Sequence, residues 1–230
     1  MSRKIYLFFL AVFFLLPQGH AAPCYGTKMP KQFQWFWGSE VNYIAKRNLE
    51  ANHGEFRSGQ AFLTGSFGIT DWLCFDGAAG QGFVKYTPPD IQEIDYDSAF
   101  AGKYGFRIRL YGDEGSFLRS VFGFQHISVH PRHESINNVK RKIIFDDWQF
   151  SLLVSCEKIE KFTPYIGAKV SRGDLIEWFD DNRERRKSED AEFIGLVCGF
   201  NFFITQNLWL TFEGRYFDEK AASVGATYSF

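Results

Sequence analysis

The chain has 230 residues, and its formal net charge of −1 gives no electrostatic reason to expect a nucleic-acid partner. Mean hydropathy is −0.23, although 45% of the residues are hydrophobic and 19% are aromatic. No long apolar run follows the N-terminal region, which excludes a bundle of membrane-spanning helices. Apolar residues without apolar runs indicate alternating strands, and the aromatic excess is typical of a lipid-facing β-barrel.

The N-terminal region has the organisation of a secretory signal peptide. Arg3 and Lys4 precede an apolar run over residues 5–16, which is shorter than the ~20 residues of a membrane-spanning helix. Gly19 and Ala21 are small residues at the two positions that a signal peptidase inspects. The predicted division of the chain is a signal peptide over 1–21, a periplasmic N-terminal segment over 22–34 and a barrel over 35–230.

From residue 35 onward, stretches of about ten residues alternate apolar and polar side chains, as transmembrane β-strands do. In the fourth stretch Tyr104, Phe106 and Ile108 share one face, while Arg107 and Arg109 share the other. Because an open sheet edge in lipid leaves backbone groups unsatisfied, the sheet is expected to close into an all-β antiparallel barrel. Ten strands are predicted, with eight as the alternative. They start near residues 35, 60, 73, 100, 117, 148, 162, 192, 208 and 222.

The links between the predicted strands alternate in length. The first, third, fifth and seventh links are long, and the others are short. Outer-membrane barrels place short turns on the periplasmic side and long loops outside, and an even strand number returns both termini to the periplasm. The pattern therefore predicts a barrel that presents its loops on the cell surface.

The last strand carries the clearest alternation, with Val224, Ala226, Tyr228 and Phe230 on one face. A C-terminal Phe with an aromatic residue two positions earlier resembles the signal recognised by the outer-membrane assembly machinery, so Tyr228 and Phe230 are candidate assembly residues. With the Thr-Pro-Tyr-Ile-Gly sequence over 163–167, this terminus resembles the small outer-membrane barrel superfamily, which includes the OmpA transmembrane domain and opacity-type surface proteins. The resemblance implies a Gram-negative outer-membrane location and a structural or surface-interaction role. No cofactor is expected.

Several charged residues fall on the predicted inward faces of the strands. A barrel of this size has little free interior, and unpaired buried charges are costly. Opposite charges are therefore expected to pair and fill the lumen, with a narrow solute pore as the alternative. The predicted lumen charges are Glu40, Lys103, Arg107, Arg109, Lys169, Glu213 and Arg215.

His126 and Ser128 lie two residues apart on the predicted outward face of the fifth strand. The pair resembles the outer-membrane lipid A deacylases, whose motif is His-x-Ser-Asn with a downstream acid. The resemblance implies His126 as general base, Ser128 as nucleophile and Glu134 or Asp146 as the orienting acid. Val129 stands where that motif has Asn. A non-enzymatic barrel is therefore the preferred interpretation, and an acyl hydrolase is the alternative.

Two predicted extracellular loops carry candidate interaction residues. The loop over 130–142 is basic and suits the phosphate groups of lipopolysaccharide. The loop over 172–190 begins with the adhesion tripeptide Arg-Gly-Asp. Outer-membrane lipid, lipopolysaccharide and the barrel-assembly machinery are the expected partners. The candidate loop residues are Arg132, Lys140, Arg141, Lys142, Arg172, Gly173 and Asp174.

Four cysteines in an exported chain permit disulfides. Cys24 lies in the predicted periplasmic segment, and Cys74 and Cys156 lie near predicted periplasmic strand ends, so a bridge from Cys24 to one of them is geometrically feasible. Cys198 lies on an outward face. No metal site is expected, because the histidines lack acidic or cysteine partners at ligand spacing.

Overall fold

The computed structural model describes residues 23–89, 92–113, 115–136, 138–180, 182–187 and 193–230; the predicted signal peptide over 1–21 lies outside these ranges. A single 3-10 turn, Glu50–Asn52, interrupts an otherwise all-β fold. The strands are β1 (Trp35–Asn48), β2 (Glu55–Gly68), β3 (Leu73–Thr87), β4 (Ile94–Tyr111), β5 (Leu118–His130), β6 (Glu134–Ile136), β7 (Val139–Cys156), β8 (Phe162–Phe179), β9 (Asn182–Lys187), β10 (Ile194–Phe203), β11 (Leu208–Tyr216) and β12 (Lys220–Ser229).

Ten of these strands form a closed antiparallel barrel. The ring runs β1-β2-β3-β4-β5-β7-β8-β10-β11-β12, and β12 pairs with β1 to close it. In the closing pair Trp37 is opposite Tyr228 and Val41 is opposite Val224. The short strands β6 and β9 pair with the outer ends of β7 and β8. The predicted ten-stranded barrel is confirmed, and the eight-stranded alternative is wrong.

The two ends of the barrel differ. At the turn end lie the links that follow β2, β4, β7 and β10, together with the start of β1 and the C-terminal residue. At the loop end lie the links that follow β1, β3, β5, β8 and β11. Strands β4, β7 and β8 have 18 residues each, whereas β10, β11 and β12 have 10, 9 and 10. The wall is therefore much taller on one side at the loop end.

Nearer the turn end, the outward face of the barrel is apolar and aromatic. Trp35 stacks on Trp37 with ring centroids 5.6 Å apart, and Tyr228 packs against Phe230 at 4.9 Å. A second aromatic group lies toward the loop end, where Trp148 and Tyr104 flank the His126 ring at 4.0 and 5.1 Å. Among the described residues no helix is long and apolar enough to cross a membrane.

At the loop end the polarity of the two faces is inverted. Ile44, Phe56 and Val84 point inward and are fully buried, while charged side chains face outward on the same strands. These outward charges form the ion pairs Lys46–Glu55, Arg57–Glu93 and Lys85–Asp95. The strands are longer than predicted. The prediction followed an alternation of outward apolar and inward polar residues, and this alternation ends where the polarity of the two faces is inverted. Much of the described part of the predicted loops over 130–142 and 172–190 is strand.

The inward apolar residues of the loop end form one cluster, here called the apolar cap. Its members are at most 5% exposed, and the Phe56 and Phe145 rings lie 4.7 Å apart at its centre. The cap residues are Ile44, Leu49, Phe56, Phe62, Val84, Tyr86, Ile94, Tyr96, Ala101, Ile127, Val129, Ile143, Phe145 and Leu175.

Replacing Phe56 by Ala is expected to lower the free energy of unfolding by about 3–5 kcal/mol, because it leaves a cavity in the cap. Urea unfolding in detergent micelles measures this loss. Leu63→Ala is the matched control, since Leu63 lies outward on the same strand and is 73% exposed. Equal losses for both variants would show that the cap is no better packed than the outer surface.

Candidate functional site

The N-terminal segment lies inside the barrel. Cys24 is 1% exposed and packs with Leu153, Tyr165 and Val197 on the inward faces of β7, β8 and β10. Its backbone N–H donates a 2.9 Å hydrogen bond to Oε1 of Glu213. The sequence predicted that residues 22–34 form a segment outside the barrel. The structure instead places its start among lumen side chains, because that interior offers polar partners for the backbone.

Arg107 on β4 holds this segment. Its Nη1 donates to the backbone carbonyls of Tyr25 at 2.9 Å and Lys28 at 2.7 Å. Its Nε and Nη2 bind the two carboxylate oxygens of Asp76 at 2.8 and 2.7 Å. A guanidinium has five donors in a rigid fork, so one side chain can bind an acid and a peptide backbone together. We call this arrangement the Arg107 clamp.

Charged pairs surround the clamped segment. Lys103 Nζ lies 2.6 Å from Glu40 Oε1 and 4.1 Å from the centroid of the Tyr25 ring. Arg215 Nη1 lies 2.9 Å from Glu213 Oε1, and Arg215 Nη2 donates to Oδ1 of Asn42 at 2.6 Å. All of these charged groups except Glu40, whose side chain is 11% exposed, are buried, and each charge has its counter-charge within hydrogen-bond distance, as a low-dielectric interior requires.

A second buried network lies nearer the loop end. Arg47 Nη1 binds Asp147 at 3.1 Å and Glu219 at 2.8 Å. Lys169 Nζ lies 2.8 Å from Asp218 and also contacts Glu219. All five side chains are fully buried. Asp218 and Glu219 belong to the three-residue link after β11, which folds inward over the low wall.

The structure therefore brings six of the seven predicted lumen charges into buried ion pairs. Arg109 is the exception, since it lies at the turn end and contacts the exposed Asp113 at 3.5 Å. Sequence reasoning missed Arg47, Asp218 and Glu219, which lay in predicted links. It also missed Asp76 and Asp147, although strand parity assigns both to the inward face and could have identified them.

The lumen leaves little open space around the clamp. A cavity of about 50 Å³ lies between the segment and the wall, lined by Tyr25, Glu40 and Glu213 among others. At the turn end a wider vestibule of about 960 Å³ is lined by Lys28, Arg109 and neighbouring residues. Lys28 Nζ lies 4.2 Å from the Phe203 ring centroid, and burial lowers the pKa of the Lys28 ammonium to about 8.

On the outer wall, Ser128 lies between a histidine and an acid. Ser128 Oγ is 2.8 Å from Nε2 of His130 and also donates to Oδ1 of Asp146. The histidine is not the predicted His126, whose ring packs on Trp148 instead. None of the hydrogen bonds in the described part of the chain joins Asp146 to an imidazole. A catalytic triad needs the histidine between the serine and the acid, and here the serine occupies that middle position.

Several predicted loop residues are not in loops. Glu134 pairs with Arg141 across β6 and β7, away from Ser128. The Arg-Gly-Asp tripeptide over 172–174 lies within β8. Its Gly173 faces the lumen, where an added Cβ would lie 2.9 Å from Cζ of Arg47, and Asp174 is 1% exposed. The tripeptide continues the β7–β8 ladder, so its predicted loop position is wrong.

The predicted basic loop residues are divided between the two faces. Lys140 and Lys142 on β7 have exposed side chains. Arg141 instead approaches the buried Glu177 at 3.8 Å and lies over the Phe179 ring. Arg132 is exposed in the link after β5, where its backbone N–H donates to the carbonyl of Asp97.

The predicted assembly residues lie on the outer face of the terminal strand. Tyr228 and Phe230 point outward, and the Phe230 backbone N–H donates to the carbonyl of Trp35 at 3.2 Å.

All four cysteines lie in the described ranges and all four are free, so the predicted bridge from Cys24 is absent. Burial raises the pKa of the Cys24 thiol to about 12.

No protein-family model matches the chain, and no curated protein matches it. Among solved structures, it is similar to an outer-membrane channel from Pseudomonas putida F1, with 9% identity, a TM-score of 0.48 and coverage of 91% of this chain and 100% of that one. It is also similar to the outer-membrane protease OmpT from Escherichia coli, with 11% identity, a TM-score of 0.42 and coverage of 86% and 95%. For the translocator domain of the autotransporter NalP from Neisseria meningitidis, the values are 10%, 0.43, 87% and 89%. These values are too low to carry an activity, a ligand or a location over to this chain.

Replacing Arg107 by Gln is expected to release the N-terminal segment and expose Cys24. In a background with Cys74, Cys156 and Cys198 replaced by Ser, Cys24 should react with a water-soluble maleimide roughly tenfold faster or more, because charge-assisted hydrogen bonds of about 1.5–3 kcal/mol are lost. Mass spectrometry of the labelled protein measures the rate.

Arg109→Gln is the matched control for the clamp. It removes a cation two residues along the same strand that contacts only the exposed Asp113 among the ion pairs of the described residues. Its labelling rate should equal that of the background. Equal rates for Arg107→Gln and the background would contradict the clamp.

Proposed function

We propose that this chain is an integral barrel of the bacterial outer membrane with a sealed lumen, and that its role is structural or surface-interacting. The observation that carries the proposal is the pair of blocks inside the barrel. The apolar cap fills the loop end, and the Arg107 clamp holds chain backbone across the lower lumen. Because the lumen is closed at these two levels, the outer surfaces of the barrel are the parts available for function.

The outer surface supports the membrane assignment. Large apolar side chains cover the outward face below the ion-paired rim, and aromatic side chains lie toward both limits of this apolar band. Transmembrane barrels have such a band between two aromatic girdles. Closure of the ten-strand ring by the β1–β12 pair also leaves no open edge among the described strands of that ring, which lipid requires. The predicted signal peptide would deliver the chain, with the turn end facing the periplasm and the loop end facing the cell exterior.

The two alternatives from the sequence have less support. A solute pore needs a continuous polar path, whereas the cap residues are at most 5% exposed. An acyl hydrolase needs a serine hydroxyl that a histidine can deprotonate. The single hydroxyl hydrogen of Ser128 is donated to the Asp146 carboxylate, so it is not directed at His130, whose Nε2 lies 2.8 Å from the same hydroxyl oxygen. Assignment to the OmpA and opacity-type superfamily stays a prediction.

The surface that the proposal makes available is the tall wall at the loop end. There β6, β7, β8 and β9 form a continuous sheet above the low wall of β10–β12. A sheet held by main-chain hydrogen bonds presents side chains in fixed positions, which suits recognition better than mobile loops do.

The purified mature chain is expected to insert into planar lipid bilayers without conducting ions. Electrical recording measures this, and protease protection in vesicles shows separately that the barrel has inserted. A variant lacking residues 22–29 should also be silent, because the apolar cap remains. Steady unitary conductance from the inserted wild-type chain would contradict the sealed lumen.

A further inference from the structure

A group of cations lies on the outward face of the tall wall, at the upper limit of the apolar band. In antiparallel strands, directly opposite residues point to the same face. Lys142 on β7 is opposite Trp178 on β8, and Trp178 is opposite Arg183 on β9. With Arg172 and Arg185, these residues form what we call the basic rim patch: Lys142, Arg172, Trp178, Arg183 and Arg185.

Two of the arginines are held by one buried acid. Asp174 is 1% exposed, and its carboxylate accepts from Nε of Arg172 at 3.4 Å and from Nη2 of Arg185. The side chains of Arg172 and Arg185 are 55% and 49% exposed. Each guanidinium has five N–H donors. The Asp174 carboxylate therefore orients both side chains, and each still presents N–H donors to the exterior.

The Trp178 ring contacts the other two cations of the patch, Lys142 and Arg183. Lys142 Nζ lies 5.3 Å from the ring centroid, and Arg183 Cζ lies 5.4 Å from it. Cation–π contacts at this distance fix the direction of a long side chain without neutralising it. The described acids nearby, Asp146, Asp174 and Asp180, are engaged by Ser128, by the two arginines and by the backbone N–H of Lys140. Among the described residues, four cations against three carboxylates leave a surplus of positive charge.

The exposed cations Arg57 on β2 and Lys85 on β3 lack this surplus. Arg57 contacts Glu93, and Lys85 contacts Asp95, so each has a carboxylate of its own. Both lie on the outward face at the loop end, on β2 and β3, where the surface is close to neutral. The excess of cations over carboxylates on β7–β9 therefore distinguishes that part of the rim from β2 and β3.

The surface directly below the patch is apolar. Trp148 is opposite Arg172 in the ladder and is 41% exposed. Farther toward the turn end, Leu152, Ile166 and Val170 are 47%, 57% and 48% exposed on the same face. A ligand that fits both surfaces has an anionic headgroup and several hydrocarbon chains.

We propose that the basic rim patch binds the phosphate groups of lipopolysaccharide, with its acyl chains lying along the outward face of β7 and β8. The assignment rests on the proposed membrane location and gives it a specific lipid partner. Guanidinium forks match the geometry of phosphate oxygens, and Arg is preferred over Lys where that match matters. Of the predicted loop residues, Lys142 and Arg172 belong to this site, whereas Arg132 and Arg141 do not.

The test is a titration of the folded mature chain in detergent with bisphosphorylated lipid A, followed by native mass spectrometry. The first variant is Arg172→Gln with Arg185→Gln. Because it leaves Asp174 without its partners and can disturb folding, the second variant is Lys142→Gln with Arg183→Gln. The control is Arg57→Gln with Lys85→Gln. Lipid A with its phosphates removed is the ligand control, and inorganic phosphate tests whether the lipid chains are needed.

Each patch variant is expected to weaken lipid A binding roughly tenfold or more, and the control variant is expected to bind as the wild type does. Dephosphorylated lipid A and inorganic phosphate should both bind much more weakly. Equal binding by the patch variants and the control would overturn the proposal, as would equal binding of dephosphorylated lipid A. Vesicle insertion is measured on the same samples. If the chain inserts but the patch has no effect, only the lipid site fails; if it does not insert, the membrane proposal fails.

Discussion

Along each long strand of this barrel, the outward face is apolar nearer the turn end and charged at the loop end, and the polarity of the inward face changes in the opposite sense. This reversal of polarity is the constraint on which the rest of the structure depends. On β2, Leu63 faces outward within the apolar band, while Arg57 faces outward beside Glu93. They lie six positions apart, and toward the loop end the inward residues of β2 run from Phe62 through the polar Gln60 and Ser58 to Phe56 of the apolar cap. Because side chains alternate along a strand, both faces must change together where the surrounding medium changes.

The contents of the lumen follow from this reversal. Where the outside is apolar, polar and charged side chains point inward, and a barrel of ten strands has room to pair them but not to hydrate them. The first residues of the described chain occupy the remaining space, because the Arg107 guanidinium can bind their carbonyls together with Asp76. Where the outside is charged, the inside is apolar and packs as a cap. The paired charges with the clamped segment close the lumen by polar contacts, and the apolar cap closes the same lumen by apolar packing.

Strand parity predicted much of this fold from the sequence. Alternation along the strands correctly assigns Glu213 and Arg215 to the inward face. The same rule fails at the loop end, because it assumes one polarity throughout and so assigns Arg47 to a link. Parity also could not choose between His126 and His130, which share a face on either side of Ser128. The insertion of residues 23–28 has no periodic signal, because the clamp binds their backbone rather than their side chains.

The most direct test of the reversal is site-directed spin labelling along β2 in lipid vesicles. Cys24, Cys74, Cys156 and Cys198 are replaced by Ser, and a nitroxide is attached at Leu63→Cys or at Arg57→Cys. If the faces reverse, the label at 63 is relaxed mainly by oxygen, which concentrates in lipid, and the label at 57 mainly by a water-soluble nickel chelate. The same relaxation behaviour at both positions, whether that of lipid or that of water, would contradict the reversal.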